Sequence, residues 1–190
     1  MSPNRWSNLL ARLAAVAIVL ATADTACEDR VRVEAHREGE AVIVEARAAL
    51  HVDLAMAWEV LTGYDRYPQF IPDLTSSRVL SRSGSDVVVE QKGQFAFLVF
   101  RLPLEVTMNV SERPRTGISS RAIGGTFREM TGSYELAQAG EDLQLTYSGR
   151  MVPRFGLLSL MGTAAVKAAV EKQFGALVRE MQTRAAVLEK

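Results

Sequence analysis

From residue 31 onward the chain alternates. Residues 31–36 and 41–52 place β-branched and small apolar side chains at every second position, on either side of the polar stretch Arg37-Glu38-Gly39-Glu40. Successive side chains on a strand point to opposite faces, so two such runs around a glycine turn predict a β-hairpin. Asp53 then precedes Ala57, Val60 and Leu61 at helical spacing, and Gly63 follows. An acidic N-cap and a glycine stop predict a short helix. Residues 64–70 predict a second short helix ended by Pro72, because the residue before a proline is pushed out of the helical region.

The period of two returns over residues 76–81, 86–94, 97–110, 117–123, 127–136 and 143–151. Between these runs lie Arg82-Ser83-Gly84-Ser85, Arg113-Pro114-Arg115-Thr116-Gly117, Gly124-Gly125 and Ala139-Gly140-Glu141-Asp142, all turn formers. Short connections between strands predict an antiparallel meander. After residue 157 the period changes. Val166, Val170, Phe174, Leu177, Val178 and Met181 recur at threes and fours, with Ala185 and Leu188 beyond, while Lys167, Glu171, Lys172, Arg179, Glu180 and Arg184 fall on the other face. That is the stripe of one long amphipathic helix. Strands, two short helices, more strands and a long helix predict an α+β fold: a curved antiparallel sheet with two short helices, wrapped around the C-terminal helix.

The first 26 residues do not fit this pattern. Arg5 and Arg12 precede an uncharged, mostly apolar run over 13–23, and Ala21-Thr22-Ala23 supplies small residues at a cleavage position. Basic, apolar and small-residue regions in that order read as a signal peptide, cleaved near Ala23 or Ala26, and predict a periplasmic or secreted protein. The alternatives are an uncleaved anchor or an N-terminal helix. The apolar run is shorter than the roughly 20 residues a membrane span requires. Residues 27–190 then form a single domain. Asp24 occupies the place where a lipoprotein signal carries an aliphatic residue, so acylation of Cys27 is the minor alternative.

Charge and chemistry narrow the function. Lys+Arg and Asp+Glu balance at 22 each, and cleavage after Ala23 removes two arginines and no acid. A surface slightly to the acidic side cannot neutralise a phosphate backbone, which argues against nucleic acid. Cys27 has no partner for an internal disulfide, and His36 and His51, both in the first strand region, have no obvious partner or metal-ligand cluster around them. No Ser-His-Asp order, phosphate loop or dinucleotide fingerprint occurs. No cofactor, metal or catalytic residue is expected.

The stretch Tyr64-Asp65-Arg66-Tyr67-Pro68-Gln69-Phe70-Ile71-Pro72 resembles the aromatic segment Tyr-x-x-Tyr-Pro-x-Phe-x-Pro of the polyketide cyclase/START-like superfamily. These are the helix-grip proteins that include the birch-pollen-allergen fold. Gly132-Ser133-Tyr134-Glu135-Leu136 and the long helix after Pro153 also resemble that superfamily in placement, so the likeness covers about residues 31–186. The nearest branch is the coenzyme Q-binding START domains, which commonly carry an aromatic residue where this chain has Asp73. The resemblance implies a cavity between sheet and helix that holds a hydrophobic small molecule or lipid, and a non-enzymatic carrier role or, alternatively, a polyketide cyclase or dehydratase acting on an aromatic substrate.

Alternation and helical spacing nominate the residues facing that cavity: Phe70, Leu102, Leu104 and Met108; Met130, Tyr134, Tyr147 and Met151; and Phe174, Val178 and Met181. The competing reading is that these side chains fill a solid core. Glu90, Glu105, Glu129, Arg101, Arg121 and Arg128 are the only nominees for acid, base or anion binding, and several fall opposite the apolar face. Phe95, Phe97, Leu98, Val99 and Phe100 are apolar on both parities, so this run is either doubly buried or a rim for transient membrane contact.

Overall fold

The computed structural model describes residues 31–97, 100–154 and 157–188, with the side chains at 96, 97, 100, 153, 157–161 and 188 left out of the description. The signal-peptide reading and Cys27 therefore lie outside the described residues, as do Leu98 and Val99.

The chain runs β1 (Arg32–Glu38), β2 (Ala41–Leu50), α1 (Leu54–Thr62), a 3-10 turn (Tyr64–Gln69), β3 (Leu74–Ser83), β4 (Asp86–Phe97), β5 (Phe100–Arg113), β6 (Gly117–Gly125), β7 (Phe127–Ala139), β8 (Asp142–Pro153) and α2 (Leu157–Leu188). All eight strands form one antiparallel sheet in the order β1-β2-β8-β7-β6-β5-β4-β3. The chain order is thus broken once, where α1 and the 3-10 turn carry it from β2 on one side of the sheet to the far edge at β3. The last strand returns to pair with β2.

Local chemistry explains the joints. Two residues close the hairpins β1–β2, β3–β4 and β7–β8, each opening on a glycine at positive φ (Gly39, Gly84, Gly140). Such turns match the right-handed twist of the strands they join. The Asp53 carboxylate accepts from the backbone N–H groups of Ala55 and Met56 at 2.8 and 3.0 Å, which satisfies two donors at the start of α1. Ladder irregularities in β3, at Thr107/Met108 and at Phe127/Glu129 bend the strands. The sheet curls, and α2 lies in its concave side against β1, β2, β4 and α1.

Two expectations are corrected. The alternating run 97–110 is not one strand from its start: β4 extends to Phe97, which pairs with Phe100 at the head of β5. Residues 97–100 hold no glycine, proline or polar turn residue, and nothing in their composition marks a boundary. The terminal helix is not continuous either. Gly162 has φ 52° and ψ 161°, far from helical values, and kinks α2 near its start. His51 also has a neighbour that sequence spacing hid, since its Nδ1 lies 3.6 Å from Asp142 across the β2–β8 edge.

The core runs through the concave side. Leu50, Leu61, Leu143, Leu145, Phe174 and Met181 are fully buried there. Ion pairs tie the outer elements across it: Asp73 to Lys172 at 2.5 Å, and Glu59 to both Arg66 and Arg184 at 3.0 and 3.5 Å. Asp73 sits at φ 64°. Its carboxylate binds the loop after the 3-10 turn to α2, a task for which an aromatic residue at this position would be unsuited.

Candidate functional site

The inner end of the core is not solid. The concave face of the sheet, the 3-10 turn and α2 enclose an apolar cavity of about 200 Å³. A larger hollow of about 660 Å³ lies on the outer face of the sheet, where Ser111, Ser119, Arg121 and Ser148 are exposed and Ser133 and Arg150 half-buried. The outer hollow is more open and is lined by the charged Glu45, Asp86, Arg121 and Arg150, whereas binding sites for small molecules are concave, enclosed and mostly apolar with a few placed polar groups. The inner cavity is the candidate site.

Strand alternation builds its walls. Leu104, Val106, Met108 and Val110 of β5 point inward at every second position, and Met130 and Tyr134 of β7 and Tyr147 and Met151 of β8 do the same. Val166, Val170, Phe174 and Leu177 close it from α2. Tyr64 and Tyr67 of the 3-10 turn close one end, with ring centroids 5.9 Å apart edge to face.

Of the residues nominated from sequence, Leu104, Met108, Met130, Tyr134, Tyr147, Met151 and Phe174 meet in this cavity. Four do not line it. Phe70 packs edge-on against Tyr67 at 5.7 Å. Leu102 packs against the core nearer the β4–β5 turn. Met181 is fully buried farther along α2, and Val178 borders an outer groove with Val31 and Arg179. Parity and helical spacing identify the inward face, but the cavity spans only the stretch of α2 from Val166 to Leu177. Phe95, nominated for a rim, is buried and lines the cavity.

Polar groups in the lining divide into committed and uncommitted ones. Tyr64 Oη donates to Glu112 Oε1 at 2.9 Å, and Arg82 Nη1 holds the other oxygen of Glu112 at 2.9 Å. Tyr67 Oη donates to the Leu61 carbonyl at 2.6 Å, and Ser120 Oγ to the Gly132 carbonyl at 3.2 Å. Gln91 Nε2 is turned toward Ser77 Oγ at 3.3 Å. Among the described residues, neither Tyr134 nor Tyr147 finds a hydrogen-bond partner for its hydroxyl. Both tyrosines line the cavity and neither hydroxyl is sealed, since the one sealed side-chain polar atom without a hydrogen-bond partner among those residues is Arg150 Nη1.

Burial pushes the pKa of all four phenols up. For Tyr64 the Glu112 charge and hydrogen bond add to burial, and for Tyr134 the neighbouring Tyr147 and Tyr67 add to it. Tyr147 is pushed up to about 12 by burial alone. At neutral pH each is an O–H donor, never a phenolate.

Tyr134 and Tyr147 stand directly opposite each other in the β7–β8 ladder, their rings 4.8 Å apart and tilted by 42°. Gly132 and Gly149 pair two residues along on the same face. A Cβ at Gly149 would come within 2.5 Å of Tyr147 Oη, and one at Gly132 within 3.3 Å. The Tyr147 ring therefore lies back over two glycines, leaving the space in front of it empty. Sequence reading found the tyrosines and missed the glycines, whose meaning appears only once the register places them beneath the ring.

The acid and base nominees lie outside the cavity lining. Glu90 pairs with Arg78 and Lys92, Glu105 with Lys92, and Arg128 with Glu40. Arg101, Arg121 and Glu129 are exposed. No group of His, Cys, Asp or Glu able to hold a metal occurs among the described residues.

A family model described as polyketide cyclase / dehydrase and lipid transport matches residues 50–182. No protein of curated function matches the sequence. Among solved structures, an aromatase/cyclase from Streptomyces sp. R1128 is similar over 76% of this chain and 95% of its own, at 18% identity and a TM-score of 0.63. A STAR-related lipid transfer protein from Xanthomonas axonopodis is similar over 80% and 93%, at 13% identity and a TM-score of 0.64. A START superfamily protein from Mycobacterium smegmatis is similar over 74% and 97%, at 12% identity and a TM-score of 0.64. At these identities the likeness is one of fold.

Proposed function

Since this chain belongs to the polyketide cyclase / dehydrase and lipid transport family, we propose that it is an exported carrier that holds a hydrophobic small molecule between its sheet and α2. The observation that carries this reading is the cavity of about 200 Å³ whose lining, among the described residues, contains no charged side chain. A cavity of about 150 Å³ lined by aliphatic and aromatic residues is enough to take up benzene, so this one accommodates a compact apolar guest. The methionines Met108, Met130 and Met151 give the wall flexible, polarisable side chains that adapt to a guest's outline.

A cyclase or dehydratase would need an acid or base within hydrogen-bond reach of its substrate. Glu112, which contacts the lining through Tyr64, is occupied by Tyr64 and Arg82. This favours holding over proton transfer. Export rests on the order of basic, apolar and small-residue regions in residues 1–26. Transient membrane contact at the β4–β5 turn rests on Phe97, Leu98, Val99 and Phe100, four apolar residues in succession around the Phe97↔Phe100 pair.

The test is to purify the full-length protein from the envelope fraction of cells expressing it and to weigh it intact under native conditions. The expected result is a chain beginning at Asp24 or Cys27 with an apolar molecule bound in stoichiometric amount. A chain retaining residue 1 would remove the cleaved signal peptide, absence from the envelope fraction would remove export, and an empty protein that also rejects added apolar probes would remove the carrier role. Replacing Phe97 and Phe100 together by serine should abolish co-flotation with liposomes while the melting temperature is kept; unchanged flotation would remove the membrane contact.

A further inference from the structure

The carrier reading leaves open what kind of molecule the cavity selects, and its polar inventory answers that. The side chains that line it are uncharged among the described residues. An ionised carboxylate or phosphate entering such a space loses its hydration and meets no cation, a loss worth several kcal/mol. The guest must therefore be neutral. The lining is nevertheless not purely apolar. Tyr64, Tyr67 and Ser120 donate their hydroxyl protons to Glu112, Leu61 and Gly132. Gln173 also borders the cavity but is exposed, at its solvent side.

What remains inside, beside Gln91 with its Nε2 turned toward Ser77 Oγ at 3.3 Å, is a pair of phenols, Tyr134 and Tyr147, with no partner for their hydroxyls among the described residues. Burial keeps both protonated, so they are donors and present no negative charge to a guest's oxygen. Leaving a buried donor unsatisfied is unfavourable, and native interiors rarely do so unless water or a ligand completes the bond. Two such donors facing one apolar space amount to a recognition site for a hydrogen-bond-accepting oxygen. The glycines behind Tyr147 point the same way. With no Cβ at Gly132 or Gly149 the Tyr147 ring lies back against the sheet instead of projecting across the cavity, so the room in front of the hydroxyls is kept free.

We propose that the cavity is specific for neutral, ring-sized molecules bearing a carbonyl-type oxygen, which Tyr134 and Tyr147 bind as hydrogen-bond donors. This deepens the carrier reading and rests on it. The size follows from the volume: somewhat above the roughly 150 Å³ that takes up benzene, it suits one or two fused rings better than a long acyl chain.

Three naphthalenes of nearly equal shape separate the possibilities. 2-Acetylnaphthalene carries the oxygen, 2-isopropenylnaphthalene replaces it by a CH₂ group, and 2-naphthoate replaces the methyl by a charged oxygen. In calorimetric titrations of the full chain the ketone should bind about 3- to 10-fold more tightly than the alkene, the span a single neutral hydrogen bond supplies, with naphthoate weakest. The carbonyl stretch of the bound ketone should move to lower frequency. Tyr134→Phe combined with Tyr147→Phe should abolish both the preference and the frequency shift while leaving the alkene's affinity unchanged.

Gly149→Ala, which pushes the Tyr147 ring into the cavity, should weaken ketone and alkene alike. Equal binding of ketone and alkene by the unaltered protein, or naphthoate binding as tightly as the ketone, would overturn the proposal and leave the carrier reading standing. Rejection of all three probes would remove the carrier reading as well. The carbonyl frequency in the unaltered protein needs no variant, so an unshifted band overturns the proposal even where the phenylalanine variant does not fold.

Discussion

Tyr147 shows how one residue's surroundings turn into a measurable property. Its phenol ionises near 10.0 when exposed and near 12 in the folded chain, because burial disfavours the phenolate. A raised acid pKa means the folded state keeps its proton where the unfolded state has lost it. The resulting stabilisation is complete below pH 10 and disappears as the pH climbs through 12. Two pKa units correspond to at most about 3 kcal/mol, less to the extent that the cavity admits water around the ring. Tyr64, Tyr67 and Tyr134 shift in the same direction and steepen the loss. Urea denaturation between pH 9 and 12 should thus show a falling unfolding free energy, and Tyr147→Phe should make the fall shallower. A flat profile would mean that the phenols are solvated in the folded protein.

At the scale of elements, the parts written in local chemistry were legible from sequence and the parts set by register were not. Asp53 announced α1, Gly39, Gly84 and Gly140 announced three hairpins, and even-numbered apolar positions in β5 identified its inward face. Each signal acts within a few residues of itself. The boundary between β4 and β5, where Phe97 pairs with Phe100, has no such signal, because all four residues from Phe97 to Phe100 are apolar and favour extended structure as well as any strand interior. Gly162 is a single glycine in a helical pattern, and its departure to φ 52° shows only in the structure. Glu112 behind Tyr64 comes from 48 positions away, and Gly132 beneath Tyr147 from the neighbouring strand. Contacts of that kind require the ladder register, which parity alone does not supply. The same limit explains why Val178 and Met181 were grouped with Phe174: they share its helix face but lie beyond the end of the cavity.

For the molecule as a whole, the cavity is a cost that a guest offsets. Side chains around an empty space forgo the dispersion contacts that a filled core makes, so an unfilled hollow of this size lowers stability relative to a packed interior. A guest that binds only the folded chain raises the unfolding free energy by an amount set by its concentration over its Kd, about 2.7 kcal/mol at a hundredfold excess. For a domain of this size that is a rise in Tm of roughly 5–10 °C. The charge-free lining makes a second demand. Exposed charge pairs such as Glu40–Arg128 weaken as salt rises, but a neutral molecule held by apolar contact and phenol donors has no charge for salt to screen. The Tm increment given by saturating 2-acetylnaphthalene should therefore be the same in dilute buffer and in molar sodium chloride, even as the Tm of the empty protein drifts. An increment that collapses with salt would mean that the guest sits against the ionic outer surface, in the serine- and arginine-lined hollow behind the sheet, and not against Tyr134 and Tyr147.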